Sequence, residues 1–150
     1  EAYSGQTCAL TDNGTVWCWG KNDNGLGDGT TTSRDYPVQV QNITDALDVY
    51  VGDKMVCAAV NKRFDLKCWG NYYLGDDSST DSSTPVTVTE TNGWRADYTF
   101  DDVAIGQASV CAYNLANNEV FCWGRNNEGQ LGLGNTLTPY QTMQDVSSPF

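Results

Sequence analysis

The sequence predicts an all-β protein made of about three copies of a short, strand-rich unit, and three observations carry that expectation. The triplet Cys-Trp-Gly begins at Cys18, Cys68 and Cys122, 50 and then 54 residues apart, a period that marks a repeat architecture. Six cysteines fall as three pairs, Cys8 with Cys18, Cys57 with Cys68 and Cys111 with Cys122, each ten or eleven residues apart. Short β-like runs between these landmarks are bounded by Gly, Asn, Asp and Pro, and no helical pattern competes with them.

The paired cysteines are expected on hairpins. In the first unit TCAL meets VWCW across TDNG, where Asn13-Gly14 is a strong signal for a tight turn. The corresponding turns are NKRF and NLANNE. Opposed residues on antiparallel strands have Cα atoms about 4.5–5.5 Å apart, a spacing that suits a disulfide. Closing so short a loop constrains the unfolded chain by about 2.5–3 kcal/mol before strain is subtracted. Zinc asks for closer cysteine spacing or for histidine partners, and the chain has no His. Disulfides are therefore expected ahead of free core thiols or a metal centre. They imply an oxidising setting, extracellular or at the cell surface.

Trp19, Trp69 and Trp123 each follow the second cysteine, so they point to the opposite face of that strand. The expectation is a core tryptophan that packs each sheet on its neighbour, with an aromatic ligand platform as the alternative. A buried ring of about 200 Å² contributes up to about 5 kcal/mol. Trp17, whose counterparts are Lys67 and Phe121, is expected nearer the surface. Next comes a Gly/Asn/Asp run in which Gly20, Gly25, Gly27 and Gly29 permit a tight, irregular turn. Asp23 and Asp28 in this run suggest calcium, but the alternating acidic ligands and the glutamate at the twelfth position are missing. No metal and no other cofactor is expected.

Two further strands complete each unit. YPVQV, TPVTV and TPYQT are expected to place Pro37, Pro85 and Pro139 at the first position of a strand, where a missing N–H is harmless. DVYVG from Asp48 and DVAIG from Asp102 are one element 54 residues apart, and DVSS from Asp145 reads as its third copy. The repeat units are set at 1–51, 52–105 and 106–150 of a single domain. An insertion, ETNGWRADYTFDD, lengthens the second unit and brings Trp94, Tyr98 and Phe100, either as contact residues or as a cover for the sheet.

Composition narrows the function. The net charge of -11 repels phosphate backbones, so nucleic acid is not an expected partner. No stretch approaches the about 20 apolar residues of a membrane span. The chain begins at Glu1 rather than Met, which suggests a processed product or an excerpt. With no histidine and with paired cysteines, the usual nucleophilic arrangements are unavailable, and no catalytic residue is assigned. Asp76/Asp77 and Asp101/Asp102 are carboxylate pairs, but neighbours along a strand face opposite sides. The sequons at Asn13 and Asn42 are candidate glycosylation sites.

Units of about 50 residues carrying Cys-Ala-Leu from Cys8, Val-Trp-Cys-Trp-Gly from Val16 and Gly-Gln-Leu-Gly from Gly129 resemble the regulator of chromosome condensation repeats. The resemblance implies a β-propeller of four-stranded blades, usually seven to a ring. The third unit matches most fully, with WGRNNEGQLG from Trp123; the second, WGNYYLGDD, has lost two or three loop residues and must turn differently. The family's guanine-nucleotide exchange and nucleosome docking belong to an intracellular, complete ring and are not carried over.

Twelve strands make about three blades, and the phase of the motifs suggests half-blades at both termini. Complementary half-blades imply head-to-tail assembly with other copies, as a filament or a ring, or else an excerpt of a longer propeller. The assembly candidates are Thr7, Cys8, Ala9 and Leu10 at one end, with Pro139, Tyr140, Gln141, Thr142, Asp145 and Val146 at the other. The function expected is a non-enzymatic extracellular interaction module whose partner is itself. The alternative is a protein- or glycan-binding module, inhibitor- or adhesin-like, presenting Trp17, Tyr72, Tyr73 and Trp94.

Overall fold

The computed structural model describes residues 2–3, 5–23, 25–63, 65–89 and 99–146. Among them twelve strands form three antiparallel sheets of four. The first sheet holds β1 (Ala2–Tyr3), β2 (Gln6–Leu10), β3 (Val16–Gly20) and β4 (Arg34–Gln39). The second holds β5 (Asp48–Val51), β6 (Met55–Val60), β7 (Asp65–Gly70) and β8 (Ser82–Thr87). The third holds β9 (Asp102–Ile105), β10 (Ser109–Asn114), β11 (Glu119–Gly124) and β12 (Tyr140–Asp145). Each is a meander in which every strand bonds to the next in sequence. β5 lies against β2, the second strand of the first sheet, and β9, the first of the third, so the sheets converge near their opening edges, as blades do.

The all-β, four-stranded blade architecture is as expected, but the phase is not. β4, β8 and β12 close the sheet that precedes them, and β1 opens the first sheet. The terminal half-blades are thus replaced by sheets of four strands, the first with an opening strand of only two residues. The expected unit boundaries at 51/52 and 105/106 fall between the first and second strands of a sheet.

Misaligned motifs account for the difference. Val40, Val88 and Val146 occupy one position, donating their N–H groups to Val16, Leu66 and Val120. DVSS from Asp145 is therefore not a third copy of DVYVG; Asp145 ends β12, opposite Phe121. Tyr140 pairs with Gly124 as Arg34 pairs with Gly20, so Pro139 precedes its strand and matches Ser33 rather than Pro37. Pro37 and Pro85 lie inside β4 and β8 instead of at their starts. They are tolerated there because both strands are outer edges and both prolines sit in a bulge, where three residues face Trp19 or Trp69 alone.

The disulfides join directly opposed residues. Cys8, Cys57 and Cys111 face Cys18, Cys68 and Cys122 in the ladder, each pair with Cα atoms 4.1 Å apart. The Gly of each Cys-Trp-Gly has positive φ and abuts the preceding turn, so a Cβ on Gly70 would strike the Lys54 carbonyl.

Alternation divides every blade into a disulfide face and a tryptophan face. The Cys8–Cys18 face packs on Val56, Ala58, Val60 and Trp69 of the second sheet. The Cys57–Cys68 face packs on Val110, Ala112, Phe121 and Trp123 of the third. Phe100, from the end of the insertion, is fully buried in this second interface and serves as a cover rather than as a contact residue. Trp94 and Tyr98 lie outside the described residues.

Candidate functional site

The loop after each Cys-Trp-Gly carries the inter-blade chemistry. In the first blade, Asn22 is buried; its amide donates to the carbonyls of Thr30 and Thr32, and its oxygen accepts from Leu26 N–H. Asn126 repeats this in the third blade with Asn135, Leu137 and Leu131. These asparagines escaped the sequence reading, although Trp-Gly-x-Asn at Trp19 and Trp123 was a visible signal. Asp28 is braced in the same loop, accepting from Thr30 and from the Arg34 guanidinium at 3.2 Å. Burial works to raise its pKa, but the Thr30 and Arg34 contacts prevail and hold it below the ordinary 3.8.

The loop presents a glycine to the tryptophan of the next blade. A Cβ on Gly27 would come within 2.9 Å of Trp69 Nε1, and one on Gly75 within 2.8 Å of Trp123 Nε1. Leu26 and Leu74 beside them are fully buried, as are Trp69 and Trp123. A backbone bond accompanies each contact, from Gly29 N–H to Ser83 oxygen at 3.0 Å and from Asp77 N–H to Gln141 oxygen at 3.1 Å.

The two outer faces hold the same elements without partners among the described residues. Gly132, the counterpart of Gly27 and Gly75, is exposed, and a Cβ there would meet nothing within 4 Å. Around it lie Leu131, Leu133, Tyr140, Val146 and the Cys111–Cys122 bridge. At the opposite end Trp19 is only half-buried, on a face it shares with Trp17, Thr7 and Ala9. Of the assembly candidates, then, Thr7 and Ala9 lie on one open face and Tyr140 and Val146 on the other. Cys8 and Leu10 face the second blade, and the Gln141 carbonyl is bonded to Asp77. Thr142 lies in β12, while Pro139 and Asp145 are exposed at its two ends.

A second feature lies between the second and third blades. A cleft of about 260 Å³ is lined by Lys54, Tyr72, Tyr73, Gln107 and Arg125. The Lys54 ammonium stands 5.7 Å from the centre of the Tyr72 ring. Arg125 bonds to Asn127, and Tyr72 N–H to Asp81. Tyr72 and Tyr73 thus meet in one cleft, whereas Trp17 sits on the open face of the first blade, its indole bonded to Thr15.

Most of the acidic candidates are otherwise engaged, while Asp77 and Asp102 are exposed. Asp23 pairs with Lys21, Asp76 accepts from Ser78, and Arg63 bridges Asp48 and Asp101 between blades. Among the described residues, no group of three or more His, Cys, Asp or Glu is placed to hold a metal ion. Asn13 and Asn42 are exposed, at the end of the blades opposite the cleft.

Residues 13–59 and 117–150 match the family model of the Regulator of chromosome condensation (RCC1) repeat, and residues 100–130 match a second model of that description. Human E3 ubiquitin-protein ligase HERC2 is 33% identical over 138 residues, which cover 87% of this chain and 3% of that protein. The Arabidopsis thaliana Ultraviolet-B receptor UVR8 is 30% identical over 142 residues, 91% of this chain and 31% of the receptor. Among solved structures, human WBSCR16 superposes with a TM-score of 0.75 at 21% identity, over 94% of this chain and 35% of that one. Yeast RCC1 (Prp20) bound to Kap60 gives 0.74 at 18% identity, over 95% and 36%. The CRINKLY WD40 ectodomain of the Arabidopsis receptor kinase ACR4 gives 0.53 at 21% identity, over 92% and 44%. The chain spans less than half the length of each.

Proposed function

This chain belongs to the Regulator of chromosome condensation (RCC1) repeat family, and from that premise we propose that it is a non-enzymatic, extracellular interaction module that assembles head-to-tail with copies of itself. One observation carries the reading. The interface built twice inside the arc, tryptophan against a Leu-Gly loop, is present a third time as two separated halves, Trp19 at one end and Gly132 at the other. A second copy would set its Trp19 over Gly132, and the Gly134 N–H would meet the Asp35 carbonyl as Gly29 meets Ser83. Such a contact is heterologous, so it propagates as a filament or closes as a ring.

The extracellular part rests on the three disulfides and on the existence of this fold in a receptor ectodomain. Glycans at Asn13 and Asn42 would leave the cleft at the other end of the blades uncovered. A second reading, in which further blades of a longer chain occupy the open faces, is favoured by the 35% and 36% of the solved propellers that this arc spans.

Light scattering and electron microscopy of the non-reduced protein test the proposal. The expected result is rings or filaments that dissociate on Gly132→Ala and on Trp19→Ala. Gly134→Ala is the control: its φ is +70° against +74° at Gly132, its Cβ also meets nothing, and a non-glycine, Asp77, stands at that position in the intact second interface. A monodisperse monomer at every concentration, or equal disruption by both glycine variants, would overturn self-assembly.

A further inference from the structure

We propose that the cleft between the second and third blades binds a single hexuronate residue of a glycan, its carboxylate held by Lys54 and Arg125 and its ring stacked on Tyr72 or Tyr73. The inference is independent of self-assembly and starts from charge. A chain of net charge -11 gives its cations ready partners, and Lys21, Arg34 and Arg63 are each ion-paired. Among the described residues Lys54 and Arg125 line one cleft, and neither is within ion-pair distance of a carboxylate. Asp81 lies nearby but is bound to the Tyr72 N–H.

The boundary one blade earlier shows what changed. There Lys21 and Lys54 stand with Asp23 and Asp53 around a cleft of only about 20 Å³. In the third blade Gln107 takes the place of Asp53, removing one carboxylate. In the second blade the four residues between Lys21 and Leu26 shrink to two between Asn71 and Leu74, removing the other and leaving Tyr72 and Tyr73. The same shortening accompanies the widening to about 260 Å³. Asn71 and Ala108 likewise stand where Lys21 and Lys54 stand, so two acids and two bases are lost together, while two aromatic rings and room are gained. The cations of this cleft are instead Lys54 and Arg125, whose counterparts at the earlier boundary are Gly5 and Asn71.

The occupant follows from these groups. Two cations within an acidic molecule select a compact anion, and the guanidinium of Arg125 can hold a carboxylate through two parallel hydrogen bonds. Tyr72 is 42% exposed, with its backbone at φ +69°, and offers a ring face to the C–H face of a pyranose. The volume lies just under the about 300 Å³ at which drug-sized pockets begin, which suits one sugar residue. The surrounding negative field disfavours a long polyanion and favours a uronate flanked by neutral sugars.

Titration of the non-reduced protein with methyl glucuronide, followed by NMR, tests this against methyl glucoside and the uronate methyl ester. Binding of the free acid at least tenfold tighter than either neutral form is expected, with saturation transfer to tyrosine ring protons. Lys54→Met, Arg125→Gln and Tyr72→Ala should each weaken it several-fold, whereas Lys21→Met, at the earlier boundary, should not. The thermal midpoint of each variant reports that the fold is kept. Equal affinity for acid and ester, no binding of the acid, or equal displacement by a short glutamate peptide would overturn the assignment.

Discussion

The indole N–H of Trp69 donates across the blade boundary to the carbonyl oxygen of Gly25 at 2.9 Å, and one blade later the indole of Trp123 has no acceptor among the described residues. The two tryptophans are otherwise alike, fully buried and stacked on a glycine. The loop opposite Trp123 is two residues shorter, and Tyr73 stands there in the place of Gly25. Trp69→Phe should therefore cost about 1–3 kcal/mol more than Trp123→Phe, because the first loses a hydrogen bond and the second removes an unsatisfied buried donor. Urea unfolding measures both, and equal losses would contradict the account.

Reduction should be ordered by burial. Five of the six cysteines are at most 3% exposed, but Cys111, on the outer face of the third blade, is half-buried. Mild reductant followed by alkylation and peptide mass spectrometry should label Cys111 and Cys122 first. Assembly through that face should suppress the labelling, so the rate should fall with protein concentration. Replacing both Cys57 and Cys68 by Ala should cost about 2–3 kcal/mol from the unfolded-state term, with any cavity left between blades adding to it. Labelling that begins at Cys57 would contradict the packing.

Acid should weaken the first blade through Asp28. Its folded pKa lies below 3.8, so its stabilisation is present above the unfolded value and is lost as pH falls through the folded one. The stability gap between the native protein and Asp28→Asn should be widest between about pH 5 and 7, above the ordinary carboxylate range, and close below pH 3.8. A gap that is constant across that range would mean that Arg34 and Thr30 hold the loop through geometry alone.

Much of the blade was legible in the chain. Cys-Trp-Gly at three places marks the strand, the staple and the turn together, because a cross-strand disulfide, a tryptophan on the opposite face and a left-handed glycine are all local demands. The ends were harder to read. Pro139 and DVSS resembled Pro37 and DVYVG by composition, and only the ladder from β11 to β12 showed that they were four residues and one strand out of step. Strand pairing depends on hydrogen bonds between distant segments, which short motifs do not encode.

The amino-acid sequence by itself determined the repeat, the three disulfides, the alternation of tryptophan and cysteine faces and the acidic surface, all properties of single strands and their nearest neighbours. The tertiary structure alone decided which sheet each strand joins, that Trp19 and Gly132 lie on opposite outer faces, and that Lys54, Tyr72 and Arg125 share a cleft. The pairing of strands and the packing of one sheet on the next bring together residues from separate segments, such as Tyr72 and Arg125, and no short motif encodes those relations.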